Sequence, residues 1–458
     1  MRTEQRTARP ARTWMGRPWV WVLAVAALFS LVQLPSAPGN FYPDSTEYLT
    51  QVYGMLGDSR AEGRDRAIRA FCDQYRHKSL VLDPVGFDAK AGAKAAGNCV
   101  KRLHAQDDQG PETRYGPAIT RGASIPSSRY EDIFLSRPGV AVLYLPGVVA
   151  FGPRAGMWLT TLAWTLLGGV LVFLLLRRLG VAPGVAVLGQ VLYLILPIRV
   201  WTMAPLSEGI TLGLLMTCLL GAVYLLTGDR RRGLALLGAG FAVGTFVKYS
   251  QFLLFAAALA GVLAVVVLVR RRRAGGGADG AATLIGVSVA AAAAMFLVSK
   301  LLGWPGTADT MQDLLTNHFR EPDVADPLGG WLRTNLDFWR SWLAEQLQEP
   351  FLLVAWAAGA WGVIRFHRPA GYVVFAALLA GLANQIGHPN VTQGSRIYIA
   401  AWLLAVYGIP LLLHTLLTRR PPDVLTERQP VEPVTEVIPR QSGPAPAPDT
   451  WRSPAGGE

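Results

Sequence analysis

The feature that most limits what this chain can fold into is a series of charge-free apolar runs that stop at clusters of arginine. Met157 to Leu176 ends at Arg177-Arg178, and Ile210 to Leu226 is followed by Asp229-Arg230-Arg231-Arg232. Phe252 to Val269 ends at Arg270-Arg271-Arg272-Arg273. A helix that is apolar all round for about 17–25 residues is long enough to cross a bilayer. Composition agrees: of 458 residues, 51% are hydrophobic and 16% charged, too apolar for a soluble enzyme of this length. The net charge of +12 sits in the punctuation between runs rather than in one patch. That pattern fits membrane topology and argues against a nucleic-acid partner.

The remaining runs are Pro18 to Leu34, Val181 to Leu196, Leu234 to Val247, Ala281 to Leu302, Phe351 to Ile364, Tyr372 to Leu382 and Ile397 to Leu417. Together they predict an all-α polytopic integral membrane protein with about ten transmembrane helices. Leu234 to Val247 and Phe252 to Val269 are expected to form a hairpin. Gly139 to Gly152 is short and broken by Pro and Gly, which suits a re-entrant or interfacial element. Ala281 to Ala294, rich in Gly and Ala, points to close helix packing. Every second exit is basic, including Arg365/His367/Arg368 and Arg419/Arg420, so a single orientation satisfies the whole chain. Residues 1–17, with Arg2, Arg6, Arg9, Arg12 and Arg17, form a basic cytoplasmic N-terminus. The membrane domain covers 18–417, with external loops at 36–156 and 303–349. Residues 418–458 form a Pro-rich cytoplasmic tail without apolar periodicity, expected to be disordered. A cleaved signal peptide ending near Pro35-Ser36-Ala37 is the rival reading of the first run, whose length favours a retained anchor.

The first external loop is too long for a passive connection. Thr46 to Leu56 reads as a short interfacial helix with Tyr48 and Tyr53 at headgroup depth, and Ala61 to Tyr75 as an amphipathic helix. Cys72 and Cys99 both fall in this loop, while Cys218 lies in an apolar run. An outer compartment permits a Cys72–Cys99 disulfide; two free buried thiols are the alternative. The second loop is rich in tryptophan, with Trp304, Trp331, Trp339 and Trp342. Its Asp313, His318, Glu321, Asp323 and Asp326, and His388 further on, lack metal-ligand spacing, and most of them read as surface polar residues.

Charge near the first membrane exit is the strongest functional signal. In Phe41-Tyr42-Pro43-Asp44-Ser45-Thr46-Glu47-Tyr48, proline can open a helix whose first turn holds Asp44. Glu47 then shares its face. A capped, solvated helix start would explain both acids equally well. On the same outer side, Arg137, Arg154, Arg199, Lys248, Lys300 and Arg396 violate the positive-inside bias. Singly, such residues snorkel; together they would form a pocket for a phosphate. Glu208 is the acid at the start of its helix, suited to donor hydroxyls, to pairing with Arg199, or to the helix dipole.

In this order the motifs resemble the GT-C superfamily, membrane glycosyltransferases that use polyprenyl-phosphate sugars, of the protein O-mannosyltransferase and aminoarabinose-transferase type. The acid after the first helix is one such motif. Ser136-Arg137-Pro138-Gly139-Val140-Ala141-Val142-Leu143-Tyr144-Leu145-Pro146 resembles the element before the family's second helix, and Arg177-Arg178-Leu179-Gly180 the basic turn after it. Pro205-Leu206-Ser207-Glu208, Gly244-Thr245-Phe246-Val247-Lys248 and Gly394-Ser395-Arg396-Ile397-Tyr398 resemble later elements. The chain departs from the family in lacking a clean Asp-Glu pair in the first loop and in having Pro-Gly where many members have Pro-Pro-Leu.

The resemblance implies a GT-C-like fold and direct, inverting transfer of a hexose or pentose to an extracytoplasmic protein, lipid or glycan acceptor. The polyprenyl-phosphate leaving group needs positive charge, and the acceptor hydroxyl needs a carboxylate base. Asp44 is the expected base and Asp132 the second acid. Glu47, Arg137, Arg199, Glu208, Lys248, Arg396 and Tyr398 are the expected substrate-binding residues. A divalent metal, Mg²⁺ or Mn²⁺, would bind at Asp44 if anywhere. Two other classes stay open: a lipid-carrier or solute flippase, which needs polar residues in mid-helix, and a non-catalytic membrane scaffold.

Overall fold

A computed structural model describes residues 17–36, 41–82, 89–108, 129–274, 279–319, 321–366, 368–389 and 394–418. The basic N-terminus before Arg17, the tail from Arg419 and His367 lie outside the described residues. Among the described residues the chain is helical, without strands. Six helices among the described residues are long and apolar enough to cross a membrane, and a bent pair raises the number to seven. The protein is therefore membrane-embedded.

The helices follow in order. α1 (Pro18–Gln33) is the first apolar run; α2 (Pro43–Met55) opens on Pro43 as the sequence suggests. α3 (Arg60–Leu82) and α4 (Ala89–Asp108) pair and are joined by a Cys72–Cys99 disulfide with Cα atoms 5.6 Å apart. α5 (Arg129–Leu135) leads into α6 (Pro138–Arg178), then α7 (Pro183–Ile195), the short α8 (Ile198–Thr202) and α9 (Glu208–Leu226). α10 (Arg230–Ala274), α11 (Asp279–Leu301), α12 (Thr307–Leu315) and α13 (Pro327–Gln348) come next. α14 (Phe351–Phe366), α15 (Val374–Gly387), α16 (Gly394–Ile397) and α17 (Leu403–Thr418) complete the bundle.

Two helices are too long to be straight spans, and both break. α6 bends at Gly152, whose φ of 77° lies in the left-handed region. Its arms fold onto each other through a glycine pair: a Cβ on Gly156 would stand 2.2 Å from the Gly147 carbonyl oxygen. This fold-back accounts for the short, broken run at Gly139 to Gly152. α10 breaks at Lys248, with φ −162° and ψ 70°. A Cβ on Gly244 would meet the Phe252 ring at 2.5 Å, so its arms also lie close, as the expected hairpin requires.

Succession sorts the charges. Arg178 Nε donates to the Thr227 hydroxyl at 2.9 Å and Arg368 to the Leu179 carbonyl at 2.8 Å. Gly280 sits against the Leu225 carbonyl. These contacts gather the C-terminal ends of α6, α9 and α14, with the arginines in or just after them, at one end of the bundle. α9 and the first arm of α10 pack antiparallel through Gly221 and Gly233, so Glu208 and Lys248 lie at the other end. There, α13 meets α14 at 87°. Its Leu328, Leu332, Leu336, Leu343 and Leu347 are exposed along one helical face.

In the first loop Tyr48 and Tyr53 face protein: both are buried, because α3 and α5 cover α2. Arg66 lies over the Tyr53 ring at 4.0 Å, and Tyr48 meets Phe134 edge-on at 5.7 Å.

Candidate functional site

The site forms where α2, α9, the break in α10, and α16 converge. Asp44 lies in the first turn of α2, where Pro43 presets the backbone and the N-terminal dipole favours an acid. Its neighbour Ser45 donates to the Pro205 carbonyl at 2.8 Å. Pro205 belongs to the non-helical strip 203–207 between α8 and α9. Buried carbonyls need donors, and side chains supply them here. Tyr144 donates to Leu206 O at 2.7 Å and Thr165 to Thr202 O at 3.0 Å. The strip ends at Glu208, the first residue of α9, only 1% exposed.

Arg396 binds these acids together. Its Nη2 donates to Asp44 Oδ2 at 2.6 Å and its Nε to Glu208 Oε1 at 2.8 Å. Lys248 Nζ reaches the same Glu208 oxygen at 3.3 Å. The break in α10 removes the regular helix at Lys248 and delivers its ammonium to a buried carboxylate, which cannot stay charged unpaired. Burial opposes the charge on Arg396, yet Asp44 and Glu208 hold its pKa well above the ordinary guanidinium value. Arg137, the cap residue of α6, is a third cation of the cluster. Burial opposes its charge too, and the Tyr48 hydroxyl, Asp44 and Glu208 raise its pKa. Tyr42 and Trp201, rings 5.6 Å apart, stand at the rim, where Trp201 donates to the Ser395 hydroxyl at 3.0 Å.

The other expected residues lie elsewhere. Glu47 pairs with Arg64 of α3 at 2.5 Å and fastens α2 to that helix. Asp132 is half-buried in α5, within electrostatic reach of Arg60, whose partner is Glu131. Arg199 is exposed on α8, so Glu208 takes Arg396 and Lys248 as partners rather than Arg199. Arg154 pairs with Asp73 at 2.6 Å, and Lys300 is exposed near the Phe296 ring. Tyr398 is buried in an aromatic cluster with Trp342 and Trp356, at 6.3 and 6.4 Å. The six cations thus divide: Arg137, Lys248 and Arg396 converge, and the other three do not.

Asp313 is not a surface acid. It is 5% exposed and bonded to His318 Nδ1 at 2.9 Å. Asn317, His318 and Phe319 all have positive φ, an arrangement that costs energy in each residue. Arg129 holds this turn down, lying 4.3 Å over the Phe319 ring and bonding Asp323 at 2.6 Å and Asp309 at 3.3 Å. Nothing in the local sequence marks these pairings.

Among the described residues, no three His, Cys, Asp or Glu side chains are grouped to hold a metal. The two central carboxylates are bridged by the Arg396 guanidinium. The arrangement is suited to neutralising an anion beside carboxylates held ready by exchangeable partners. No family model, no curated protein and no solved structure matches this chain.

Proposed function

We propose that the protein is a membrane glycosyltransferase of GT-C type, moving a sugar from a polyprenyl-phosphate donor to an extracytoplasmic acceptor with inversion. The observation that carries this reading is the sharing of Arg396 between Asp44 and Glu208, with Lys248 and Arg137 alongside. A lipid-linked donor keeps its chain in the bilayer and brings a phosphate to the end of the bundle. Arg396, with a bidentate fork, and Lys248, a point charge, are suited to that phosphate. As Arg396 turns to the phosphate it releases Asp44 Oδ2. The freed carboxylate accepts the acceptor hydroxyl's proton as the hydroxyl oxygen attacks the anomeric carbon. The bond to the phosphate oxygen breaks, and its electron pair leaves on a phosphate that the cations already neutralise. Glu208 stays paired with Lys248 and keeps the cations in place.

The topology that goes with this reading puts the site on the extracytoplasmic face of the cell membrane, both termini in the cytoplasm, and about ten spans once the shorter α1 and α7 are included and the two arms of α10 count as two. Loss of transfer in Asp44→Asn membranes supplied with labelled polyprenyl-phosphate sugars, alongside normal insertion, is the expected result. Near-wild-type transfer would remove Asp44 as the base and leave Asp132 as the next candidate. The assay is run with and without chelator, because a metal at Asp44 would have to displace Arg396.

One observation favours a second reading. Broken helices beside buried charge also occur in transporters, where they line the substrate site. A flippase would move a lipid-linked sugar across proteoliposomes without releasing free polyprenyl phosphate, so the same labelled donor separates the two.

A further inference from the structure

The outer end of α15 carries a side chain that the fold leaves unserved. Gln385 is fully buried, and among the described residues neither its amide oxygen nor its amide nitrogen has a hydrogen-bonding partner. Most buried polar atoms find partners, so an amide lacking both is a cost the fold tolerates for a reason. Neighbouring polar groups are well served. Asn384 donates to Ile397 O at 2.9 Å, and Ile386 O accepts from Trp331 at 2.9 Å and Asn335 at 3.1 Å.

Position gives the reason. Gly381 packs against the segment after α16, since a Cβ there would lie 2.8 Å from Ala401 N and 3.1 Å from Tyr398 O. Gln385 is one turn further along the same face. That turn approaches α16, which carries Arg396, as the Asn384 bond to Ile397 shows. A second amide sits on the second arm of α10, a helix that packs against α15. Gln251, 1% exposed, lies three residues beyond Lys248, and its nitrogen also lacks a partner among the described residues. α15 runs away from the arginine end and the second arm of α10 runs towards it, so both glutamines lie at the Lys248 and Arg396 end.

The chemistry of an amide selects the ligand. It offers a donor and an acceptor without charge, which matches a hydroxyl group on both counts. A phosphate only accepts, and the cations already serve it. We propose that Gln385, with Gln251, is a specificity-determining residue that binds the hydroxyls of a carbohydrate held beside Arg396. This deepens the glycosyltransferase reading and rests on it.

The test uses the full-length protein in detergent. Binding is measured to polyprenyl monophosphates carrying mannose, glucose or arabinose, and to bare polyprenyl monophosphate. Gln385→Met keeps the shape and removes both unserved atoms. Expected are an unchanged or raised melting temperature, about tenfold or more weaker binding of at least one sugar-bearing lipid, and unchanged binding of the bare lipid. A purely structural amide predicts the reverse: lower stability and equal affinity. Gln251→Met repeats the measurement should Gln385→Met not fold. Equal sugar-lipid affinity in the variant and wild type overturns the proposal and leaves the glycosyltransferase reading standing. Wild-type binding of the bare lipid with no gain from any sugar overturns the carbohydrate assignment. Binding of neither lipid overturns both readings.

Discussion

Two long helices break, for opposite reasons. At Gly152 the backbone enters the left-handed region, and nothing lies within 4 Å of where a Cβ would be. The residue is needed for its φ and for nothing it touches. At Lys248 the backbone is extended, a conformation open to any residue. The residue there is needed for its charge, which reaches Glu208. One break is a demand of the scaffold and the other a demand of the site. Gly147 and Gly156 extend the first theme, and Asp44, Glu208 and Arg396 the second.

That contrast predicts which substitutions damage chemistry and which damage stability. The largest effect is expected at Asp44→Asn, with transfer reduced by roughly two to four orders of magnitude and insertion unchanged. Glu47→Gln should change transfer far less, because Glu47 serves α3 through Arg64. Next comes Lys248→Met. The break should survive, since the backbone does not require lysine. Losing one charge-assisted contact of about 1.5–3 kcal/mol should lower transfer roughly ten- to a hundredfold. Normal transfer by this variant would assign the lysine to the scaffold and dissolve the contrast.

On the scaffold side, Gly156→Ala drives a methyl into the Gly147 carbonyl oxygen. It should cost about 1–3 kcal/mol, read as faster thermal inactivation in detergent, with donor affinity kept in the surviving fraction. The smallest effect is expected at Gly152→Ala, about 1–2 kcal/mol from backbone strain alone. A loss of donor binding in either glycine variant at full stability would show that the fold-back of α6 belongs to the site.

Different parts of the molecule were legible to different degrees. The start of α2 was readable because proline and an acid at a helix N-terminus are local signals. The α10 hairpin was readable because Arg230–Arg232 and Arg270–Arg273 bracket two apolar runs. The burial of Tyr48 and Asp313 was not, since it depends on which helices cover them. For the cations, the sequence marked six outer residues alike, and only tertiary packing separates Arg137, Lys248 and Arg396 from Arg154, Arg199 and Lys300. Gln385 was invisible for a related reason: an amide in an apolar helix reveals its missing partners only once its neighbours are placed.

The bond from Arg396 to Asp44 joins residues 352 positions apart. At a synthesis rate of about 5–20 residues per second, the guanidinium is made roughly 20–70 s after the carboxylate it will hold. During that interval α2 and then α9 carry their acids without Arg396 to bridge them. A nascent chain truncated before α16 therefore has the acids and Lys248 but no clamp. Arg396 is the last of these clustered groups to be made, so the clamp closes only after both acids and Lys248 are in place.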